Sequence, residues 1–339
     1  MPSRDFLTSL DFDRGELQAI LDDAKALKAG TLPAADRARD LENKTVGLLF
    51  FNASLRTRTS FSIGVHQLGG LAVVLEPGRG SWPIEFEPGI VMDGDAEEHV
   101  AEVARVLSRY CDIIGVRAFP KFQNWERDRE DLPLRQIARH ATVPVINLET
   151  IVHPCQELAL MLTLQEHLGA TDGKRFLLTW AYHPKPLNTA VANSALIIAA
   201  KFGFDVTLLC PTPEFRLDDR YLEAASQLTR AEGRSLHVTH DIDEAFTGAH
   251  VVYAKSWGAL PYFGRWEQEK PLRERYRHFI VDDEKMAKTD EGIFSHCLPV
   301  RRNVLVTDSV LDSDRSVAID EAGNRLHVQK AVLRHLVRA

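Results

Sequence analysis

Short apolar runs alternate, along most of this chain, with stretches whose apolar residues recur every three or four positions. The first pattern is typical of buried strands and the second of amphipathic helices. A first helix is predicted within 13–27, with Asp11 or Asp13 as its N-cap. The strand-like runs are 47–51, 71–75, 112–117, 143–148, 175–180, 206–210, 235–239, 251–254 and 293–297.

Helical spacing recurs between these strands. The predicted helices begin near 54 and cover 96–110, 134–139, 153–168, 188–202, 221–230 and 324–337. Such alternation predicts parallel strands with helices on both faces. Because the alternation restarts after 153–168, we expect an α/β protein with two doubly wound parallel-sheet domains linked by long helices. The domains are predicted at 1–152, completed by a C-terminal helix at 322–339, and at 153–321.

Composition narrows the class of protein. A net charge of −7 over 339 residues argues against a nucleic-acid partner, which would require a concentrated basic surface. Four cysteines are scattered without metal-ligand spacing, which favours reduced core thiols. The first ten residues lack the apolar segment of a signal peptide, and no apolar run is long enough to span a membrane. We therefore expect a cytoplasmic protein without a membrane partner.

The stretch 54–61 carries the strongest chemical signal. It follows a strand-like run, and Ser54 is placed to cap the helix that begins there. Arg56, Thr57 and Arg58 then stand in the first turn, where free amides and guanidinium groups favour a bound dianion. A helix start that is merely basic is the alternative.

Polar residues follow other predicted strands as well. Arg117 ends one strand, His153 and Gln156 open the long helix, and His296 with Cys297 ends a late strand. Singly, His153 could cap a helix and Cys297 could be a core thiol. In an open parallel sheet, ligands bind beyond the carboxyl ends of the strands. Because all of these residues follow strand ends, we expect them to form one binding site.

Three segments carry a family resemblance. Residues 54–58 read S-L-R-T-R, residues 153–156 read H-P-C-Q, and residues 296–299 read H-C-L-P. In this order the motifs resemble those of the aspartate/ornithine carbamoyltransferases, with H-C-L-P typical of the ornithine branch. The resemblance covers nearly the whole chain. Relatives often carry Met or Thr where this chain has Leu55. We expect this difference to have little effect on ligand binding, because the position is expected to contribute through its backbone amide.

The resemblance implies a role for each matching residue. Carbamoyl phosphate is expected on Ser54, Leu55, Arg56, Thr57, Arg58, Arg117, His153, Gln156, Leu298 and Arg301. Catalysis is expected from Arg58, Arg117, His153, Gln156 and Cys297. No covalent nucleophile, metal or cofactor is required, because the donors stabilise the charge that develops on the carbamoyl oxygen.

The acceptor amine is indicated by residues 255–258, which read K-S-W-G. A lysine there would repel the α-ammonium of ornithine but would pair with the carboxylate of an acylated ornithine. With the loop around Trp82 and the H-P-K-P turn at 183–186, the chain is similar to N-acetylornithine carbamoyltransferases. That resemblance implies a knotted second domain and a homotrimer with active sites shared between subunits. It places acetylornithine on Trp82, Glu97, Glu149, His183, Lys255, Cys297 and Arg325.

Glu97 bears on the acyl group. N-succinylornithine-using relatives carry a proline where this chain has Glu97, and a carboxylate there would repel a succinyl carboxylate. An ordinary acid in the first turn of a helix is the alternative explanation of Glu97. N-succinylornithine or ornithine as acceptor stays an alternative within the same class of enzyme. A further alternative is a non-catalytic sensor that binds carbamoyl phosphate or acylornithine. Against it, the groups expected to hold the carbamoyl moiety are all present.

Overall fold

The computed structural model of the chain describes residues 5–32 and 39–338. They form two compact units. Unit 1 comprises Met1–Lys121, Glu126–Cys155 and Asn324–Ala339, and unit 2 comprises Phe122–Trp125 and Gln156–Gly323. Apart from the short segment Phe122–Trp125, the chain passes between the units within two long helices, Pro154–Leu168 and Ala318–Arg338.

Unit 1 is built on a parallel sheet. Its strands are β1 (Thr45–Phe50), β2 (Leu71–Leu75), β5 (Ile113–Arg117) and β6 (Val145–Glu149), in the order β2-β1-β5-β6. A separate two-stranded pair joins β3 (Ile84–Glu85) to β4 (Glu98–His99). The helices, in chain order, are α1 (Arg14–Ala29), α2 (Arg56–Gln67), α3 (Val100–Tyr110), α4 (Trp125–Asp128, whose first residue belongs to unit 2), α5 (Leu132–His140) and the start of α6 (Pro154–Leu168).

The core of unit 1 lies between this sheet and the helices α3 and α5. Strand β5 is buried along its whole length, as expected for a central parallel strand covered on both faces. Apolar side chains from three strands and both helices share one cluster, and each valine, leucine or isoleucine contributes roughly 1.5–3 kcal/mol by leaving water. The cluster includes Leu49, Val100, Ala104, Ile114, Val116, Leu134, Ile137 and Val145.

Unit 2 holds a second parallel sheet, ordered β11-β10-β7-β8-β9. Its strands are β7 (Arg175–Trp180), β8 (Asp205–Leu209), β9 (Leu236–Thr239), β10 (Val251–Lys255) and β11 (Ile293–Ser295). Its helices are α7 (Ala190–Lys201), α8 (Asp219–Ala231), α9 (Ile242–Phe246), α10 (Trp266–Glu274), α11 (Asp283–Met286), α12 (Asp308–Leu311) and the start of α13 (Ala318–Arg338). Every residue of α7 is buried, which explains why its sequence is apolar on all sides.

The predicted fold class is confirmed, since both sheets are parallel and alternate with helices. Strands β2 and β7 have the predicted bounds. The predicted domain limits and the knot stay predictions. In the described part of the chain, no helix is long and apolar enough to cross a membrane, and no group of His, Cys, Asp or Glu residues is arranged as a metal site.

Two predicted helix starts were wrong. Ser54 is not the N-cap of α2, because the helix begins at Arg56 with Leu55 as its cap and no capping side chain. Helix α3 begins at Val100 instead of 96, because the preceding residues pair with β3 and His99 caps the helix. Asp13, by contrast, caps α1 in a reciprocal capping box with Glu16, with both hydrogen bonds at 2.8 Å.

Candidate active site

The carboxyl edge of the unit 1 sheet brings three strand ends together. In the strand register, Phe50 at the end of β1 lies beside Arg117 at the end of β5, and Arg117 lies beside Glu149 at the end of β6. The loop before α2 starts from the same edge, so the S-L-R-T-R segment reaches it too. Sequence reasoning expected this convergence, and in unit 1 the register produces it.

Arg117 is held firmly at this edge. Its Nη1 donates to the Glu149 carboxylate, and its Nη2 donates to the Ala53 carbonyl at 3.2 Å. The guanidinium carbon lies 4.5 Å from the centroid of the Phe119 ring, a cation–π arrangement. Arg117 is only 8% exposed, and its Nε has no hydrogen-bond partner among the described residues. The guanidinium is thus fixed in orientation and retains a donor.

His153 lies next to this pair and is electrically neutral. Its Nε2 is 3.6 Å from Glu149 Oε2 and 3.5 Å from Arg325 Nη2. Complete burial lowers the pKa of His153 well below its ordinary value, and the charges of Arg325, Arg117 and Arg56 lower it further. The imidazole can therefore donate one hydrogen bond without adding a positive charge.

Arg325, from the C-terminal helix α13, completes the group. It is 2% exposed and its Nη2 donates to the Thr57 hydroxyl. Burial lowers the pKa of Arg325, and Glu149 opposes this shift. The charges of three guanidinium groups (Arg56, Arg117 and Arg325) thus act on one neutral histidine, and Glu149, which binds Arg117, is the carboxylate of the group. This cationic cluster has an excess of two positive charges, which suits a dianion.

Five predicted residues of unit 1 are not members of the cationic cluster. Arg58 points to the opposite side of α2, where its Nη1 bonds Glu76 Oε1 at 2.9 Å and its side chain is 44% exposed. Trp82 is 62% exposed, and Glu97 is exposed just before β4. Ser54 and Leu55 precede the helix, with Leu55 74% exposed.

The carboxyl edge of the unit 2 sheet carries a second polar group. Lys255 ends β10, opposite Trp180 at the end of β7. The H-P-K-P turn begins three residues after Trp180. Arg301 Nε donates to His183 Nε2 at 2.9 Å, and His183 Nδ1 lies 2.8 Å from the carbonyl oxygen and 3.0 Å from the amide nitrogen of Lys185. Burial lowers the pKa of His183, and Arg301 and Lys255 act in the same direction.

The H-C-L-P segment follows β11 in unit 2. His296 is buried, and its Nδ1 accepts a hydrogen bond from the Leu298 amide at 2.8 Å. That bond holds Leu298 at φ 54°, in the left-handed region that costs a residue with a Cβ about 1–2 kcal/mol. Cys297 is 6% exposed, between these two residues. The segment is thus a rigid, strained corner, as is common at functional sites.

Family models match both halves of the chain. Residues 4–166 match the carbamoyl-phosphate-binding domain of aspartate/ornithine carbamoyltransferases, and residues 181–336 match their aspartate/ornithine-binding domain. The chain belongs to the aspartate/ornithine carbamoyltransferase family.

Individual members of the family are similar over their full length. The N-acetylornithine carbamoyltransferase of Xanthomonas campestris pv. campestris is 61% identical, covering 99% of this chain and 98% of its own. The N-succinylornithine carbamoyltransferase of Bacteroides fragilis is 37% identical, covering 96% of each chain. A crystal structure of acetylornithine transcarbamylase complexed with acetylcitrulline superposes with a TM-score of 0.95 at 61% identity, covering 98% of this chain and 99% of that one.

Sequence reasoning missed one buried network of this carbamoyltransferase. Gln156 Nε2 donates to the Glu321 carboxylate, which also accepts from the Tyr253 hydroxyl at 3.0 Å and from the Ser295 hydroxyl. All four residues belong to unit 2 and are buried. The only signal in the sequence was an acidic residue in the first turn of α13, which is also where surface helices carry acids.

Proposed function

We propose that this chain transfers the carbamoyl group of carbamoyl phosphate to the δ-amine of N2-acetyl-L-ornithine, giving N-acetyl-L-citrulline and phosphate, a step of arginine biosynthesis. The observation that carries the proposal is the cationic cluster of unit 1. Its excess of two positive charges matches the phosphate dianion of the donor, and the N-terminus of α2 adds free amides. The similarity to N-acetylornithine carbamoyltransferases supports the acceptor.

The reaction needs charge stabilisation more than a reactive side chain. The δ-amine attacks the carbamoyl carbon, a C–N bond forms, and the bond from that carbon to the phosphate oxygen breaks. Its electron pair leaves with phosphate, and the amine loses one proton. Negative charge develops on the carbamoyl oxygen, where we assign the fixed donors Arg117 and His153. We assign the phosphate to Ser54, Leu55, Arg56 and Thr57, with the exposed Arg58 as a further candidate.

Positioning of the acceptor is assigned to unit 2. Lys255 and Arg301 provide positive charge at the carboxyl edge of its sheet, beside neutral His183. This charge favours the α-carboxylate of an acylated ornithine and opposes the α-ammonium of free ornithine. We assign Cys297 to the acceptor and the Leu298 carbonyl to the carbamoyl group. Both stand on the rigid corner after β11.

The test compares three acceptors at equal concentration. Purified protein is incubated with carbamoyl phosphate and N-acetylornithine, N-succinylornithine or ornithine, and kcat/KM is measured for each. We expect the acetylated amine to be the best substrate. Preference for N-succinylornithine would exclude Glu97 as a repulsive group, and preference for ornithine would exclude Lys255 from the α-amino subsite. Absence of product with all three amines would refute carbamoyl transfer.

We also propose a homotrimer whose sites are shared between subunits. The segment that follows β2 exposes four large apolar side chains in a single chain, which favours burial against another copy. They are Trp82 at 62%, Ile90 at 45%, Val91 at 77% and Met92 at 40%. Mixing inactive Trp82→Ala and Arg117→Ala subunits should restore part of the activity. No recovery after verified subunit exchange would contradict shared sites.

A further inference from the structure

Gln156 carries a buried acceptor atom that the protein leaves without a partner. Its side chain is 1% exposed, and its Oε1 makes no hydrogen bond within the described residues. Its Nε2, at the other end of the same amide, donates to Glu321. A buried polar atom without a partner is costly, so such an atom in a native protein indicates a missing donor.

Glu321 determines which end of that amide is free. A carboxylate only accepts hydrogen bonds, so the group facing it must be the NH2 of Gln156 and not its oxygen. The hydroxyls of Tyr253 and Ser295 donate to the same carboxylate and hold it in place. Glu321 stands in the first turn of α13, where the helix dipole favours negative charge.

We propose that Glu321 is a positioning residue that fixes the Gln156 amide so that its oxygen accepts a hydrogen bond from the amine of carbamoyl phosphate. This rests on the proposed function, which supplies the carbamoyl amine as the missing donor. The network therefore selects a carbamoyl group over an acyl group of the same shape. Acetyl phosphate, in which a methyl group replaces the amine, offers no such donor.

The test measures the dissociation constants of carbamoyl phosphate and acetyl phosphate for the wild-type protein and for Glu321→Gln. A glutamine at 321 can donate as well as accept, so it no longer forces one orientation on Gln156. We expect carbamoyl phosphate to bind about 10- to 100-fold more weakly to Glu321→Gln, the range for leaving a buried polar group unsatisfied. Acetyl phosphate should change by less than about threefold, because it makes no hydrogen bond to Gln156.

Tyr253→Phe is the matched control. It removes one hydrogen bond from the same carboxylate but leaves Glu321 an acceptor, so the ratio of the two dissociation constants should stay at the wild-type value. An equal loss of both ligands in Glu321→Gln would show a merely structural role and overturn the proposal. A neutron structure of the wild-type protein tests the orientation without any variant, and deuterons on the Gln156 atom remote from Glu321 would overturn it as well.

The proposed function and the role of Glu321 can be refuted separately. If the wild-type protein transfers carbamoyl groups but Glu321→Gln keeps the wild-type ratio, only the role of Glu321 is refuted. If the wild-type protein forms no carbamoylated product with any acceptor, the proposed function is refuted, and the role of Glu321 with it.

Discussion

Arg56 and Arg58 stand two residues apart on α2 and offer a matched pair for testing the cationic cluster. A helix turns about 200° over two residues, so the two side chains leave it on opposite sides. Arg56 acts on His153 and Arg325, whereas Arg58 is paired with Glu76 and 44% exposed. We expect Arg56→Met to impair carbamoyl phosphate binding far more than Arg58→Met.

The magnitudes follow from these surroundings. Losing a half-buried guanidinium that bonds a dianion removes about 1.5–3 kcal/mol, or roughly 10- to 150-fold in kcat/KM. Arg58 lies outside the cationic cluster, so Arg58→Met should cost less than about fivefold in kcat/KM; losing its exposed ion pair should cost only about 0.2–1 kcal/mol of stability. Methionine keeps the length of the apolar stem in both variants, which isolates the charge.

The assay is the rate of carbamoyl transfer at saturating acceptor, with carbamoyl phosphate varied, alongside the unfolding midpoint of each variant. Equal midpoints show that both variants are folded. If Arg58→Met loses as much kcat/KM as Arg56→Met, then Arg58 leaves Glu76 to bind substrate. That result would support the expectation from the S-L-R-T-R motif and refute the distinction drawn between the two arginines.

Two further predictions concern stability. Burial and three arginines lower the pKa of His153, so at low pH the unfolded state binds a proton that the folded state excludes. The free energy of unfolding should therefore be complete above the ordinary pKa of 6.5 and fall as the pH drops below it. His153→Gln should flatten this dependence in urea titrations between about pH 5 and 6.5, and an unchanged slope would mean that another group titrates there. Asp13→Ala removes the capping box of α1 and should lower the free energy of unfolding by about 0.5–2 kcal/mol, whereas Asp22→Ala on the exposed face of the same helix should have less effect. Equal losses would show that the cap contributes nothing specific.

The sequence was informative where local chemistry decides the structure. Asp13 caps α1 because its hydrogen bonds are made within one turn, and the apolar runs of β2 and β7 have their predicted bounds. The start of α3 was wrong because Glu98 and His99 are drawn into pairing with β3, a contact across more than ten residues that no local pattern reveals. Periodicity describes a segment, whereas pairing depends on its neighbours in space.

The sequence named members of the candidate site but not the side chains that bind them. Arg117 was identified as the end of a predicted strand, and His153 and Gln156 were identified by a motif. Nothing in their spacing showed that Glu149 would bind Arg117 or that Glu321 would bind Gln156. The family resemblance gave Arg58 a catalytic role and Arg56 only a binding role, whereas the direction in which each side chain leaves the helix places Arg56, and not Arg58, near His153. Side-chain partners depend on tertiary packing, which a single sequence does not encode locally.

The place of Arg325 has a consequence for how the protein becomes active during synthesis. This residue joins Thr57 and His153 in unit 1, although the ribosome adds it after all of unit 2. The sheet of unit 1 can form early, but its anion site lacks one of its three guanidinium groups until α13 emerges. A fragment limited to the first 152 residues should therefore bind carbamoyl phosphate poorly even if it folds. Newly made chains acquire the complete charge of the site only after α13 has been synthesised.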